Sequence, residues 1–251
     1  MVEGASVESP LSVEVRSEVM VLTMTRPSRR NAVNLEMLRA FEAAFAEAND
    51  KSIRVILLNG VAPSFSAGAD LAGVKEDEFQ DALHGVLTSF VDPKFVTVAY
   101  VNGHALGAGA QLVAACDVRV ASPTATIGIP AARLGLVVNH WTIERLVREF
   151  SWPVARNMLL TAATYDAESL HRIGSIHRLG TLEDALEWAS EIAALAPLTQ
   201  FGHKLALESS AGEPTIDALV TAARKRALDS NDVAEGRAAF AEKRKPKFSG
   251  S

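Results

Sequence analysis

Hydrophobic positions follow one rhythm up to about residue 130 and another from Trp141 onward. In the first stretch, short apolar runs bounded by turn residues predict strands at Val13 to Arg16 and Val19 to Thr25, folded around Ser17-Glu18 and ended by Arg26-Pro27. Further strands are predicted at Arg54 to Asn59, Phe95 to Val101, Val118 to Ala121 and Thr126-Ile127. Val55-Ile56-Leu57-Leu58 has no polar alternation, the pattern of a strand buried on both faces of a parallel sheet. Helices alternate with these strands. Asn34 suits the N-cap of one carrying Leu35, Leu38, Phe41 and Phe45 on a single stripe, with Asn49-Asp50 as its stop. A polar helical stretch follows Asp70 as far as about Val91, and an apolar helix runs to Ala115.

From Trp141 the pattern is almost wholly helical, with helices predicted over 141–150, 153–161, 166–173, 182–195, 198–209, 214–229 and 232–243. Asp166, Thr181, Pro197 and Asp232 fit helix starts, and Gly180 and Gly212 fit breaks. The fold class is therefore α/β, built of repeated strand–strand–helix units with an all-helical C-terminal region. No low-complexity linker separates the halves. The expected division is a core over 1–195 and a C-terminal helical region over 196–251, packed on the core or on a neighbouring subunit.

Composition narrows the function. An apolar fraction of 48% supplies a sizeable core, and 22% charged residues argues against disorder. With 25 Lys and Arg against 30 Asp and Glu, the net charge of −5 offers no basic surface to nucleic acid or acidic membranes. The lone cysteine, Cys116, ends the apolar run Leu112-Val113-Ala114-Ala115-Cys116, so it reads as a buried inert thiol, with neither a disulfide nor a cysteine metal cluster possible within the chain. His84, His171, His177 and His203 lack metal-ligand spacing, so no metal is expected. Val19 to Met24 is too short to span a bilayer, and no signal-peptide pattern opens the chain, so a cytoplasmic location is expected.

The chemistry concentrates in Val101-Asn102-Gly103-His104-Ala105-Leu106-Gly107-Ala108-Gly109-Ala110-Gln111-Leu112. A glycine-rich turn entering a buried helix aims free backbone N–H groups, and the positive end of the helix dipole, at whatever precedes the helix. That arrangement suits a developing oxyanion, yet position 111 carries an amide where general acid–base work needs a carboxylate. Gly107-Ala108-Gly109 lacks the third glycine of a dinucleotide fingerprint, and no Walker P-loop is present.

Ser66-Ala67-Gly68-Ala69-Asp70-Leu71, the glycine turn, and Cys116-Asp117-Val118-Arg119 occur in that order, with Arg26-Pro27 and Asn31-Ala32 before them and Glu242 to Phe248 after them. Together these motifs resemble the crotonase superfamily, the enoyl-CoA hydratase/isomerase family, over nearly the whole chain. The resemblance implies a crotonase-like spiral of ββα units, a C-terminal region used in oligomerisation, assembly as a homotrimer or hexamer, and a site for fatty acyl-CoA thioesters. CoA itself is then the ligand or substrate, with no further cofactor and with room for an unidentified protein partner of lipid metabolism.

The matching oxyanion-hole donors are the N–H groups of Ala69 and Ala108. CoA would be held by Arg26, Arg29, Arg30, Ala67, Asp70 and Leu71, and by Lys245 and Phe248 of the C-terminal tail, which in this family reaches a neighbouring subunit. Lys243, Arg244 and Lys247 share that basic tail. The two hydratase glutamates match Gln111 and Ala131; Leu136 to Val138 add an apolar lining to the expected acyl pocket, and His140 and Trp141 add bulk. The pattern resembles a subgroup without both glutamates that binds long-chain acyl-CoA without hydrating it. The alternative is an active hydratase or isomerase using a carboxylate from another direction, such as Glu76, Asp77 or Glu78. His104 reads as pocket lining or packing, and Asp117 as structural.

Overall fold

The computed structural model describes residues 9–70, 76–210 and 229–251, with 222, 225 and 226. Strands β1 (Leu11–Arg16) and β2 (Val19–Met24) form the antiparallel hairpin around Ser17. β3 (Val55–Gly60) and β4 (Val96–Val101) extend it in parallel, Val19 pairing with Val55 and Val55 with Val96. Three short strands, β5 (His104–Leu106), β7 (Thr126–Gly128) and β8 (Thr164–Asp166), make a second sheet in the order β5-β7-β8. β6 (Val118–Ala121) and β9 (Arg178–Leu179) complete the first sheet, whose order is β1-β2-β3-β4-β6-β9.

The period of two decides what each sheet face buries. Met20, Leu22, Ile56, Leu58 and Ala99 pack against α1 (Leu35–Asp50), α2 (Glu76–Phe90) and α3 (Ala108–Ala115), through Phe41, Phe45, Phe90 and Leu112. Val19, Val21, Val55, Leu57 and Val98 point the other way, onto Ala185, Ala189 and Ile192 of α7 (Leu182–Ala193). All six residues of β3 are buried, as its unbroken apolar run requires.

Side chains mark the helix starts as expected. Asn34 accepts the Met37 N–H at 3.0 Å, and Thr181 and Asp184 close a reciprocal capping box. α4 (His140–Phe150), α5 (Trp152–Thr161), α6 (Ala167–Arg172), α8 (Pro197–Ser209) and α9 (Asn231–Glu242) lie within a few residues of their predicted limits. The helix expected over 214–229 falls almost wholly outside the described residues. After Trp141 the chain is almost wholly helical as expected, with the short strands β8 and β9, of three and two residues, as the additions the sequence did not predict. Such strands are too short to show alternation, and they exist because a neighbouring strand pairs with them.

The C-terminal elements are fastened to the core of the same chain. Lys204 of α8 is buried, and its ammonium donates to the Phe90 and Phe95 carbonyls and to Asp117, each at 2.8 Å. Arg54, at the start of β3, donates to the Ala193 and Phe248 carbonyls. Buried Asp232 accepts the Ser249 and Gly250 N–H groups, tying the tail to α9.

Candidate functional site

The site forms where β3 and β4 end. After β4 the chain passes through β5 to Gly107, whose φ of +53° and ψ of −117° admit glycine and little else, and α3 begins at once with Ala108. After β3 the segment around Ser66 lies alongside β5: Ser66 donates to the His104 carbonyl and accepts the Leu106 N–H, both at 2.9 Å. The next turn sits at Gly68, with φ +112°. A Cβ there would lie 3.1 Å from the Leu106 carbonyl oxygen, so the two turns meet only because the residue is glycine. Ala69 is then held by a bridge to Val33, Val33 donating to Gly68 and Asp70 to Val33.

This construction leaves the N–H groups of Ala69 and Ala108 beside one cavity, and among the described residues neither donates to a protein acceptor. Ala108 is the first residue of α3, so its N–H is one of the unpaired donors at the positive end of the helix dipole. Its φ is not positive, so the side chain that replaces a glycine hydrogen costs the donor nothing. Two such donors stabilise a carbonyl oxygen that gains negative charge.

The cavity, about 150 Å³, is mostly apolar beyond these donors, with Gln80 and Gln111 the polar side chains that line it among the described residues. Ile129, Pro130 and Ala131 form one wall, Phe79 and Leu83 of α2 a second, and Leu136 and Val138 a third. Gln111 lines it one turn along α3 from Ala108, almost fully buried, with its Oε1 accepting the Thr142 hydroxyl at 2.9 Å. No aspartate or glutamate lines it among the described residues. Asp77 and Glu78 are exposed on α2.

A polar cleft of about 250 Å³ adjoins the cavity, and Ala69 lines both. Its walls are Ser28, Arg29, Arg30, Ala32 and Asp70. Arg26 braces it from behind, paired with Asp70 at 2.9 Å and bonded to the Ala32 carbonyl. The Arg29 side chain is 61% exposed and only 3.9 Å from Asp70, so its charge faces the cleft and solvent.

Several residues expected at the site are brought together: Ala67, Ala69, Ala108, Gln111, Ala131 and Leu136 at the cavity, and Arg26, Arg29, Arg30 and Asp70 at the cleft. Others lie elsewhere. The His140 side chain is 84% exposed and its nearest charged partner is Glu144 at 3.8 Å, so it does not line the cavity. Trp141 packs edge-on against His84, ring centroids 5.6 Å apart, behind the α2 wall rather than in the pocket. Both start α4, which Asn139 caps; the helical turn that sends Thr142 inward sends its neighbours away. His104 is exposed and bonded to the Thr126 hydroxyl. Asp117 is held by Thr97 and Lys204.

Lys245 borders a separate polar hollow with Asp232, Glu235 and Lys247, and the Phe248 carbonyl is held by Arg54. Arg54 stands at the opposite end of β3 from the cavity, roughly 20 Å away along a six-residue strand. Within one chain, then, the tail does not join Arg29 and Arg30. Leu71 and the side chain of Glu76 lie outside the described residues.

Thr142, Phe79, Gln80 and Leu83 are site residues that sequence reading missed. The α2 residues carried a signal, since Phe79, Leu83, Val86, Leu87 and Phe90 make a helical stripe. Thr142 carried none, because its contact with Gln111 joins distant parts of the chain.

Among the described residues no helix is long and apolar enough to cross a membrane, and no group of His, Cys, Asp and Glu could hold a metal ion. Comparison with known proteins adds identity to this geometry. The chain is 38% identical to a probable enoyl-CoA hydratase of Mycobacterium tuberculosis, covering 93% of this chain and 96% of that one. It is 34% identical to the 2,3-dehydroadipyl-CoA hydratase of Escherichia coli, covering 96% and 99%. The solved structure of an enoyl-CoA hydratase/carnithine racemase from Magnetospirillum magneticum superposes with a TM-score of 0.90 at 25% identity, over 96% of each chain. A model of the family described as enoyl-CoA hydratase/isomerase matches residues 14–251, and the chain belongs to that family, the crotonase superfamily.

Proposed function

We propose that this protein binds fatty acyl-CoA thioesters and hydrates them poorly. The observation that carries the reading is a cavity with two unpaired main-chain donors, Ala69 and Ala108, and no carboxylate among the described residues that line it. The thioester oxygen would sit between the two N–H groups, the acyl chain against Phe79, Leu83 and Leu136, and the CoA phosphates in the cleft of Arg29 and Arg30. The shared position of Ala69 between cavity and cleft supports that layout, because a thioester joins an apolar tail to an anionic nucleotide at its carbonyl. Lys245 and Phe248 would serve the cleft of a neighbouring subunit in a homotrimer or hexamer.

Hydration needs one group to take a proton from water and another to deliver one to carbon. Gln111 and Ala131, at the positions that match the family's two glutamates, do neither. Each general acid or base contributes roughly 10²- to 10⁴-fold, so losing both costs on the order of 10⁴-fold or more even when the two effects are not additive. What remains is carbonyl polarisation and apolar binding, about 0.8 kcal/mol for each buried methylene. Calorimetry with free CoA and acyl-CoAs of increasing length tests this: affinity rises with chain length, whereas equal binding of free CoA and the longest thioester contradicts it.

A second reading is an active hydratase or isomerase that uses Glu76. Glu76 is the first residue of α2, the helix whose Phe79 and Leu83 line the cavity. The hydratases among the relatives favour the same reading. Under it, enoyl-CoA turnover exceeds about 1 s⁻¹ and disappears in Glu76→Gln.

A further inference from the structure

Gln111 and Gln80 are the polar side chains lining the cavity among the described residues, and they differ in how they are held. Gln80 lies half-buried on α2 without a fixed partner. Gln111 is 7% exposed and clamped: Thr142, itself 1% exposed, donates its hydroxyl to Gln111 Oε1, while Asn139 fixes the Thr142 N–H. With its oxygen engaged, the amide presents its NH₂ end elsewhere. That nitrogen has no acceptor among the described residues, and it is not among the side-chain atoms sealed off without a partner, so it opens on the cavity. Long side chains on a helix lean back toward its N-terminus, which carries this donor toward Ala108.

We propose that Gln111 Nε2 is a specificity-determining donor that selects acyl thioesters bearing an acceptor oxygen on the third acyl carbon, 3-oxoacyl-CoA foremost. The inference rests on the acyl-CoA reading above. A thioester oxygen bound to the Ala108 N–H puts the third carbon two single bonds of about 1.5 Å further on. Side chains three residues apart on a helix stand about 5–6 Å apart, so the Gln111 amide meets the acyl chain near that carbon. A saturated chain there strips water from the amide and leaves it unpaired against the apolar wall of Ile129 and Leu136, whereas a ketone oxygen accepts from it. A site built to donate a hydrogen bond discriminates more sharply than an apolar one.

Binding of octanoyl-CoA, trans-2-octenoyl-CoA and 3-oxooctanoyl-CoA is measured by calorimetry on the full chain, on Gln111→Leu and on Thr142→Val, each checked for folding by thermal melting. The readout is the ratio of affinities, not either affinity alone. The wild-type protein binds the 3-oxo thioester about tenfold more tightly than the saturated one, the worth of about one hydrogen bond. Gln111→Leu brings the ratio to about one. Thr142→Val, which frees the amide to turn away, lowers it as well, and decides the matter should Gln111→Leu fail to fold. Equal wild-type affinities, as expected if the amide only holds a water, overturn the proposal. So does a preference that survives in Gln111→Leu. If no acyl-CoA binds more tightly than free CoA, the proposed function falls and takes this inference with it; any acyl-CoA binding without 3-oxo preference removes this inference alone.

Discussion

Ala108 carries a donor that a single substitution can delete without disturbing its helix. Proline is accommodated at the first helical position, where its missing N–H has no intrahelical partner. Ala108→Pro is therefore expected to keep the fold and to weaken acyl-CoA binding about tenfold relative to free CoA. An unchanged ratio of the two affinities, measured by calorimetry, removes Ala108 from the oxyanion site. Cys116 gives a second test at this scale. Burial pushes its thiol up to about 12, so it stays protonated and unreactive at any pH below that. A thiol reagent at pH 8 should leave the folded protein unlabelled and label it fully in denaturant; rapid labelling of folded protein contradicts the burial. The turn before Ala108 was legible because its glycines mark it, whereas Ala69 was singled out through the resemblance; Gly68 and Gly107 adopt backbone angles that few other residues tolerate. His140 and Trp141 were misplaced because bulk beside a motif does not reveal which way a helix start turns its side chains.

Among the elements, α8 shows how a helix distant in sequence is fixed beside the one that carries the site. Lys204 satisfies two carbonyls at the end of α2 and the start of β4, and neutralises Asp117. Removing one member of a buried pair costs about 3–5 kcal/mol. Lys204→Met should lower the melting temperature by roughly 6–20 °C, given 2–4 °C per kcal/mol for a chain of this size. A shift below two degrees would show that Asp117 is satisfied by Thr97 alone. The long elements were readable from periodicity and caps, with α1 and α7 the clearest, since Asn34 and Thr181 act as the N-caps their positions suggest. β5, β8 and β9 were not, because strands of two or three residues owe their existence to partners across the sheet. Lys204 was equally hidden: a lysine on an amphipathic helix reads as solvated until the carbonyls it meets are known.

Across the whole molecule the distribution of charge and apolar surface matches what the proposed thioester ligand would demand. An apolar cavity, two main-chain donors and an arginine-lined cleft lie in sequence at the ends of β3 and β4, while the basic tail lies at the other end of β3. That separation is the physical reason to expect assembly: under the proposed function, Lys245 and Phe248 would serve a cleft only on another subunit. Sedimentation should give a trimer or hexamer, and a monomer at micromolar concentration contradicts that role for the tail. Fold class was legible from the succession of strand and helix rhythms, and the family from the order of its motifs. That no carboxylate lines the cavity among the described residues was foreshadowed by the amide at position 111, which follows the glycine turn, whereas Ala131 gained meaning only through the resemblance, because a residue type gains chemical meaning once its place in the cavity is known.

The most direct test of the central claim pairs turnover with binding on one preparation, using a panel of trans-2-enoyl-CoAs from four to sixteen carbons. Tight, length-dependent binding is predicted, with hydration far below about 1 s⁻¹ for every member. Hydration or isomerisation above that rate on any of them would contradict the account and turn attention to Glu76 as the missing carboxylate.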